Sequence, residues 1–162
     1  MQEELFGSEL NLLRTEFRDH LTEGMVCKLC DRFGQLYKRS LLGVMAAGVV
    51  WLVRESGRRQ RRWVHITEAP KWLLENGGVL QTTRHWDLVE QREENTKPHT
   101  RTSGMWRPTD EGVAFVDHGA KVPKYAFTYN TLCHGHEGPD IDVIQAMGNK
   151  FNYWELRFGE RP

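Results

Sequence analysis

Long apolar runs are nearly absent from this chain. The one that exists, LLGVMAAGVVWLV at residues 41–53, falls well short of the ~20 residues needed to span a bilayer. It reads instead as a buried core helix, and no membrane partner is expected. Cysteine is scarce too. Three residues, an odd number, do not make a disulfide framework. Net charge is missing altogether, with 22 Lys and Arg against 22 Asp and Glu. That excludes a histone-like protein that coats nucleic acid by bulk charge, and leaves only local basic patches for such a role. Residues 1–24 are amphipathic rather than apolar, so no secretory leader is expected and the expected compartment is the cytoplasm.

Signatures of catalysis are lacking as well. The chain has no phosphate-binding Gly-Lys-Ser/Thr loop, no G-x-S-x-G elbow and no Rossmann glycine fingerprint. His134-Gly135-His136 and Asp140 begin an H-x-H-x-D-H metal motif but lack its closing Asp-His pair. Asp140 and Asp142 are more simply helix caps. No enzyme is expected, and no catalytic residue is assigned.

What is present is aromatic and periodic. Six Trp and seven Phe among 162 residues supply a core despite modest overall hydrophobicity. Over residues 2–22, Phe6, Leu10, Leu13, Phe17 and Leu21 recur at spacings of three and four, which predicts an amphipathic helix. It either packs on the domain or pairs two copies into a homodimer.

Gly24 ends that helix, and Cys27-Lys-Leu-Cys30 follows. A C-x2-C turn can place two thiolates on one tetrahedral metal, but two further ligands are required. Cys133 and His136 offer C-x2-H spacing. The expectation is a structural zinc held by Cys27, Cys30, Cys133 and His136, with a pair of reduced thiols at a turn as the alternative.

Residues 41–55 should form the central helix, with Ser40 as its cap. Arg58, Arg59, Arg61 and Arg62 follow Arg54 closely. This basic run suits either phosphate contacts or the negative end of the preceding helix. Residues 63–66 alternate as a short strand. A helix from the Thr67 cap through Asn76 comes next, with Pro70 in its first turn. Asn76-Gly77-Gly78 then makes a turn.

Residues 79–116 organise the rest. Residues 82–90 have helical character, and almost nothing apolar lies between Val89 and Met105. Met105-Trp106 returns as a strand, able to pair with residues 63–66. Thr109 caps another helix, with Asp110 and Glu111 at its positive end.

This stretch resembles the MarR-like winged-helix families. Asp87-Leu88-Val89-Glu90 stands where they have GLIE, and Pro108-Thr109-Asp110-Glu111-Gly112 where they have LTxxG. Asp87 replaces a Gly, and Asp tolerates the left-handed conformation better than most residues. More loosely, Cys27, Cys30, Gly34, Gln35, Tyr37, Lys38 and Arg39 resemble small phage and prophage proteins that join a CxxC turn to a C-terminal winged helix.

The resemblance implies double-stranded DNA as partner. Gln81, Thr82, Arg84 and His85 would face the major groove, since Gln pairs with adenine and Arg with guanine. Leu80, Thr83, Trp86, Leu88 and Val89 would face inward. The wing would bring Arg92, Lys97, His99, Arg101 and Arg107, against Glu93 and Glu94.

Beyond the wing, residues 122–129 alternate as a half-buried strand and residues 132–136 return as a hairpin. Gly138-Pro139 should punctuate. A helix around Val143 and Met147 follows, then a last one at residues 149–158 that docks on the body.

The expected fold is therefore α+β: an N-terminal helix and CxxC turn (1–39), a winged helix-turn-helix (40–119) and a strand-helix extension (120–162). The expected function is DNA binding, as a phage or mobile-element regulator acting in a host cytoplasm. The alternative is a protein-interaction module, such as a phage-encoded inhibitor of a host enzyme or defence complex, with a host protein as partner.

Overall fold

A computed structural model describes residues 2–57, 59–92 and 104–159. Those residues form a mixed α+β structure with seven α-helices and three small sheets. The chain divides into two compact units. The first comprises Met1–Arg39 with Phe127–Gly135, the second Ser40–Ala126 with His136–Pro162.

In the first unit, helix α1 spans Gln2–Asp19. Its apolar stripe is the covered side: Leu10, Leu13 and Phe17 are half-buried and Leu21 is buried. Leu12, off the stripe, is 70% exposed. Phe17 meets Tyr129 edge-on at 6.0 Å. Strands β1 (Met25–Val26) and β2 (Phe33–Gly34) pair antiparallel, with the two cysteines of the CxxC turn in the loop between them. Strand β3 is Tyr37–Ser40, so Ser40 ends a strand rather than capping a helix.

The second unit is built on helix α2, Gly43–Ser56, which is buried without a break from Met45 to Val53. Strand β4 (Val64–His65) follows. The helix expected from Thr67 to Asn76 is divided. Ile66–Glu68 is a 3-10 turn closed by His65, whose Nδ1 accepts from the Thr67 amide. Ala69 is extended and Pro70 starts the separate helix α3, Lys71–Leu74. The physical reason is Pro70 itself, whose ring disfavours helical geometry in the residue before it.

Helix α4 covers Val79–Thr82 and continues as a 3-10 turn through Trp86. The expected helix does not reach Glu90. Asp87 takes left-handed backbone, φ +56°, which breaks it, and Val89–Gln91 becomes strand β5. Strand β6, Met105–Pro108, lies between β5 and β4. Val64 sits opposite Trp106, and Glu90 opposite Arg107.

Helix α5 is Asp110–Asp117, capped by Thr109, whose hydroxyl accepts from the Gly112 amide. Strand β7 is Val122–Tyr129, as its alternation predicts. Strand β8, Leu132–Ile141, continues through Gly138 and Pro139 instead of stopping there. It lies at the edge of the sheet β3-β7-β8, where a residue without an amide hydrogen is tolerated. Helices α6 (Val143–Met147, capped by Asp142) and α7 (Tyr153–Phe158, capped by Asn152) end the fold.

Around α2 pack α4, α5, α6, α7 and strands β4 and β6. Small residues set these approaches. A methyl group at Gly43 would lie 2.8 Å from the Met147 carbonyl oxygen, and one at Gly48 3.1 Å from Leu73. The C-terminal segment docks as expected. Trp72 and Phe151 rings are 5.0 Å apart, and the Tyr153 hydroxyl donates to the Val116 carbonyl at 2.8 Å. Arg157 makes two hydrogen bonds to Asp117, at 2.8 and 3.0 Å, and the Asp117 side chain is only 1% exposed.

Two outcomes follow for stability. A Cβ at Gly112 would sit 2.0 Å from the Leu88 carbonyl oxygen, a backbone atom that cannot step aside. Gly112→Ala should cost about 3 kcal/mol or more, the upper end of overpacking. Gly77→Ala, with open space around it, should stay within about 0.5 kcal/mol of wild type. Tryptophan fluorescence in urea reads this directly, because all six tryptophans belong to the second unit. Separately, Asp117→Ala should cost about 3–5 kcal/mol by leaving Arg157 without its partner in a buried site. Replacing both, Asp117→Leu with Arg157→Met, should recover most of that in thermal unfolding.

Candidate nucleic-acid interface

The residues at 79–86 divide into two sets. Leu80, Thr83, Trp86, Leu88 and Val89 are all buried, as the inward face requires. The Trp86 indole donates to the Pro123 carbonyl at 2.7 Å, and the Thr83 hydroxyl to the Leu80 carbonyl at 2.6 Å. Among the four residues expected to face outward, Arg84 is exposed, and Gln81 and Thr82 are half-buried.

His85 is the exception, because it is buried. From Thr83 onward the chain is a 3-10 turn, in which Thr83, His85 and Trp86 are buried and Arg84 is exposed. The His85 carbonyl also accepts from the His136 ring at 2.7 Å. His85 is therefore an anchor of the second unit's interior and no longer a base-reading candidate.

Gln81 is drawn inward as well. It lines a small cavity, about 40 Å³, with Ile66, Leu73 and Leu80. Its side-chain oxygen is buried without a hydrogen-bond partner among the described residues. The Thr82 hydroxyl donates back to the Gly78 carbonyl at 3.0 Å.

The arginine run closes back on the end of α2. The Arg61 amide donates to the Gly57 carbonyl, the Arg62 amide to that of Ser56, and the Ser56 hydroxyl to that of Arg62. Arg59 is exposed. Arg61 pairs with Asp110 at 2.6 Å, and Arg62 donates to the Glu55 carbonyl at 2.8 Å, 3.9 Å from that residue's carboxylate. Arg61 is half-buried and Arg62 exposed, and each lies beside a carboxylate. Arg58, Lys97 and Arg101, with His99, lie outside the described residues.

Arg61 and Arg84 are linked through the turn that ends the helix. Asp110 begins α5, the Thr109 hydroxyl bonds the Asp87 carbonyl, and the Asp87 amide donates to the Arg84 carbonyl. At the hairpin, Arg107 pairs with Glu90 at 2.5 Å and stacks 4.4 Å above the Trp63 ring. Arg92 is exposed.

The residues expected to bind zinc are distributed differently from their spacing. Cys27 and Cys30 share one turn of the first unit. The backbone amide of Leu29, helped by the amide and thiol of Cys30, holds the Cys27 thiol below its ordinary pKa. Cys133 donates to the Gly135 carbonyl at 3.5 Å, and His136 belongs to the second unit, at the His85 carbonyl. Among the described residues no three His, Cys, Asp or Glu side chains gather closely enough to hold a metal. His134, which the spacing argument passed over, lines the same cleft as Cys27. The signal for it was strand alternation: Leu132 and His134 share a face, and Cys133 points to the other.

No helix among the described residues is long and apolar enough to cross a membrane. The left-handed residue at the helix end yields a direct check on this geometry. Asp87→Gly should raise second-unit stability by up to about 1 kcal/mol by removing the penalty on a side chain at positive φ. Asp87→Val should lower it by about 1–2 kcal/mol, both read by chemical denaturation. No protein-family model, curated protein or solved structure matches this chain.

Proposed function

We propose that the second unit is a winged helix-turn-helix that binds double-stranded DNA. One observation carries this reading, the order of connections. Helix α2, strand β4, the short helix α3, helix α4, and strands β5 and β6 follow one another, and β6 lies between β4 and β5. That order supports the winged-helix reading, in which the helix before the hairpin enters the major groove. On this reading residues 79–86 are the recognition segment.

Arg84 is the base reader of this surface. It is exposed, and among the described residues no ion pair holds it. Guanine offers two acceptors that a guanidinium satisfies together. Thr82, half-buried on the same segment, offers its hydroxyl to a phosphate. Arg58, Arg59, Arg61 and Arg62 anchor the backbone, Arg61 and Arg62 by exchanging an exposed carboxylate partner for phosphate. Such exposed pairs contribute roughly 0–1 kcal/mol, so the exchange costs little.

Anisotropy of fluorescent duplex DNA across a salt series tests the proposal. Wild type should show a log-log slope of several units, about −0.9 for each phosphate contacted. Replacing Arg58, Arg59, Arg61 and Arg62 by Ala should reduce that slope on every sequence. Arg84→Ala should cost about 1–3 kcal/mol on a preferred sequence only. Flat anisotropy at low salt from folded protein would overturn the reading and favour a protein-interaction module.

A further inference from the structure

The first unit contains a cleft that the DNA reading does not use. Its volume is about 260 Å³, and every residue lining it belongs to that unit. Helix α1 forms one side. Leu13 and Phe17 lie on its apolar stripe, and Arg14 and Arg18 each follow one position later. Both pairs repeat at a spacing of four, so each makes a row along the helix. The other side is the tip of the β7–β8 hairpin, where Asn130 and Thr131 turn the chain at φ +48° and +66°. Tyr129 and Leu132 flank that turn and line the cleft with His134.

The walls are set by packing within the unit. The Phe17 and Tyr129 rings meet edge-on and both close on Gly34, where a methyl group would overlap Phe17 and lie 3.1 Å from Tyr129. The Leu36 amide donates to the Leu21 carbonyl at 2.8 Å, which ties the chain after α1 to the segment after β2. The His134 ring centre is 6.1 Å from that of Tyr129. Leu29 and Leu132, both exposed, form an apolar rim.

The charge beside this apolar cleft is all of one sign. Arg14 and Arg18 line it and no carboxylate does. Both arginines are exposed, and among the described residues neither side chain makes a hydrogen bond or ion pair. Glu16, between them in sequence, is held by Lys28 at 2.6 Å. Like charges four residues apart on a helix repel, and an anion placed between them turns that repulsion into attraction.

We propose that this cleft binds a small apolar carboxylic acid, with its hydrocarbon body among Phe17, Leu29, Tyr129 and Leu132 and its carboxylate on Arg14 and Arg18. Guanidinium matches carboxylate in geometry and forms charge-assisted hydrogen bonds with it. A cavity of about 150 Å³ takes one benzene ring, so this cleft takes a body of about ten carbon atoms, the size of two fused rings. The site stands independently of DNA binding.

Equilibrium dialysis of the full chain against 2-naphthoate tests it, with the uncharged 2-naphthamide for comparison. One naphthoate per chain should bind, with a Kd on the order of 0.1 mM, and more weakly as salt rises. The amide should bind about 10-fold more weakly than the acid. Arg14→Gln and Arg18→Gln should each weaken naphthoate by about 10-fold and leave the amide unchanged. Leu132→Gln, at an exposed position of the rim, should weaken both ligands. Leu12→Gln, off the apolar stripe of α1, should change neither. Circular dichroism establishes that each variant is folded. Folded wild type that takes up no naphthoate overturns the site. So does an amide that binds as well as the acid, or naphthoate binding that survives replacement of Arg14 and Arg18 together.

Discussion

A helix that is apolar on every side has to be covered on every side, and α2 sets that condition for the second unit. From Met45 to Val53 no residue of it reaches solvent appreciably. Each Val or Leu so buried contributes about 1.5–3 kcal/mol, provided that neighbours exclude water. One sheet and one helix pair cannot surround a helix. The cover is completed by α5 and by α6 and α7 from the far end of the chain. The C-terminal segment is therefore part of the second unit's core, and the Asp117–Arg157 pair and the Tyr153 hydroxyl fix it there.

The same condition explains where glycine is needed. Backbones that converge on a central helix also converge on one another. The first turn of α5 crosses the residue that follows Asp87, and Gly112 is the only residue type that leaves room for the Leu88 carbonyl. The left-handed Asp87, the Thr109 cap and Gly112 form one connected corner that ends the helix, starts β5 and aims α5 at α2.

Of that corner, the Thr109 cap and the tolerance of Asp87 for positive φ were legible as local preferences, whereas the pattern carried the helix on to Glu90 and did not announce the close approach at Gly112. The inward set Leu80, Thr83, Trp86, Leu88 and Val89 was legible through periodicity, as were α1, β7 and the return of Met105-Trp106 to pair with Val64. What was not legible depends on partners distant in the chain. His85 is polar, and its spacing does not announce that the fold buries it. Gly138-Pro139 has the composition of a turn, and only an edge position lets a strand pass through it. His136 has better spacing from Cys133 than His134 does, but the fold places His134 with Cys27.

Charge was legible in number and not in arrangement. A chain with equal numbers of cations and anions can still present a positive surface if the anions lie elsewhere. Here they do not. Asp110 and Glu55 accompany the arginine run, and Glu90 accompanies Arg107 at the hairpin. For the proposed DNA-binding role this composition has a particular energetic consequence. Phosphate has to displace carboxylates that remain nearby, so each contact contributes less than it would on a bare basic patch, and sequence-independent affinity stays low. On that proposal discrimination would fall on Arg84, exposed on the segment and held by no ion pair among the described residues, which could offer a base two hydrogen bonds. Under the proposed DNA-binding role, neutrality thus predicts a surface that binds weakly to DNA in general and depends on base contacts to bind well anywhere.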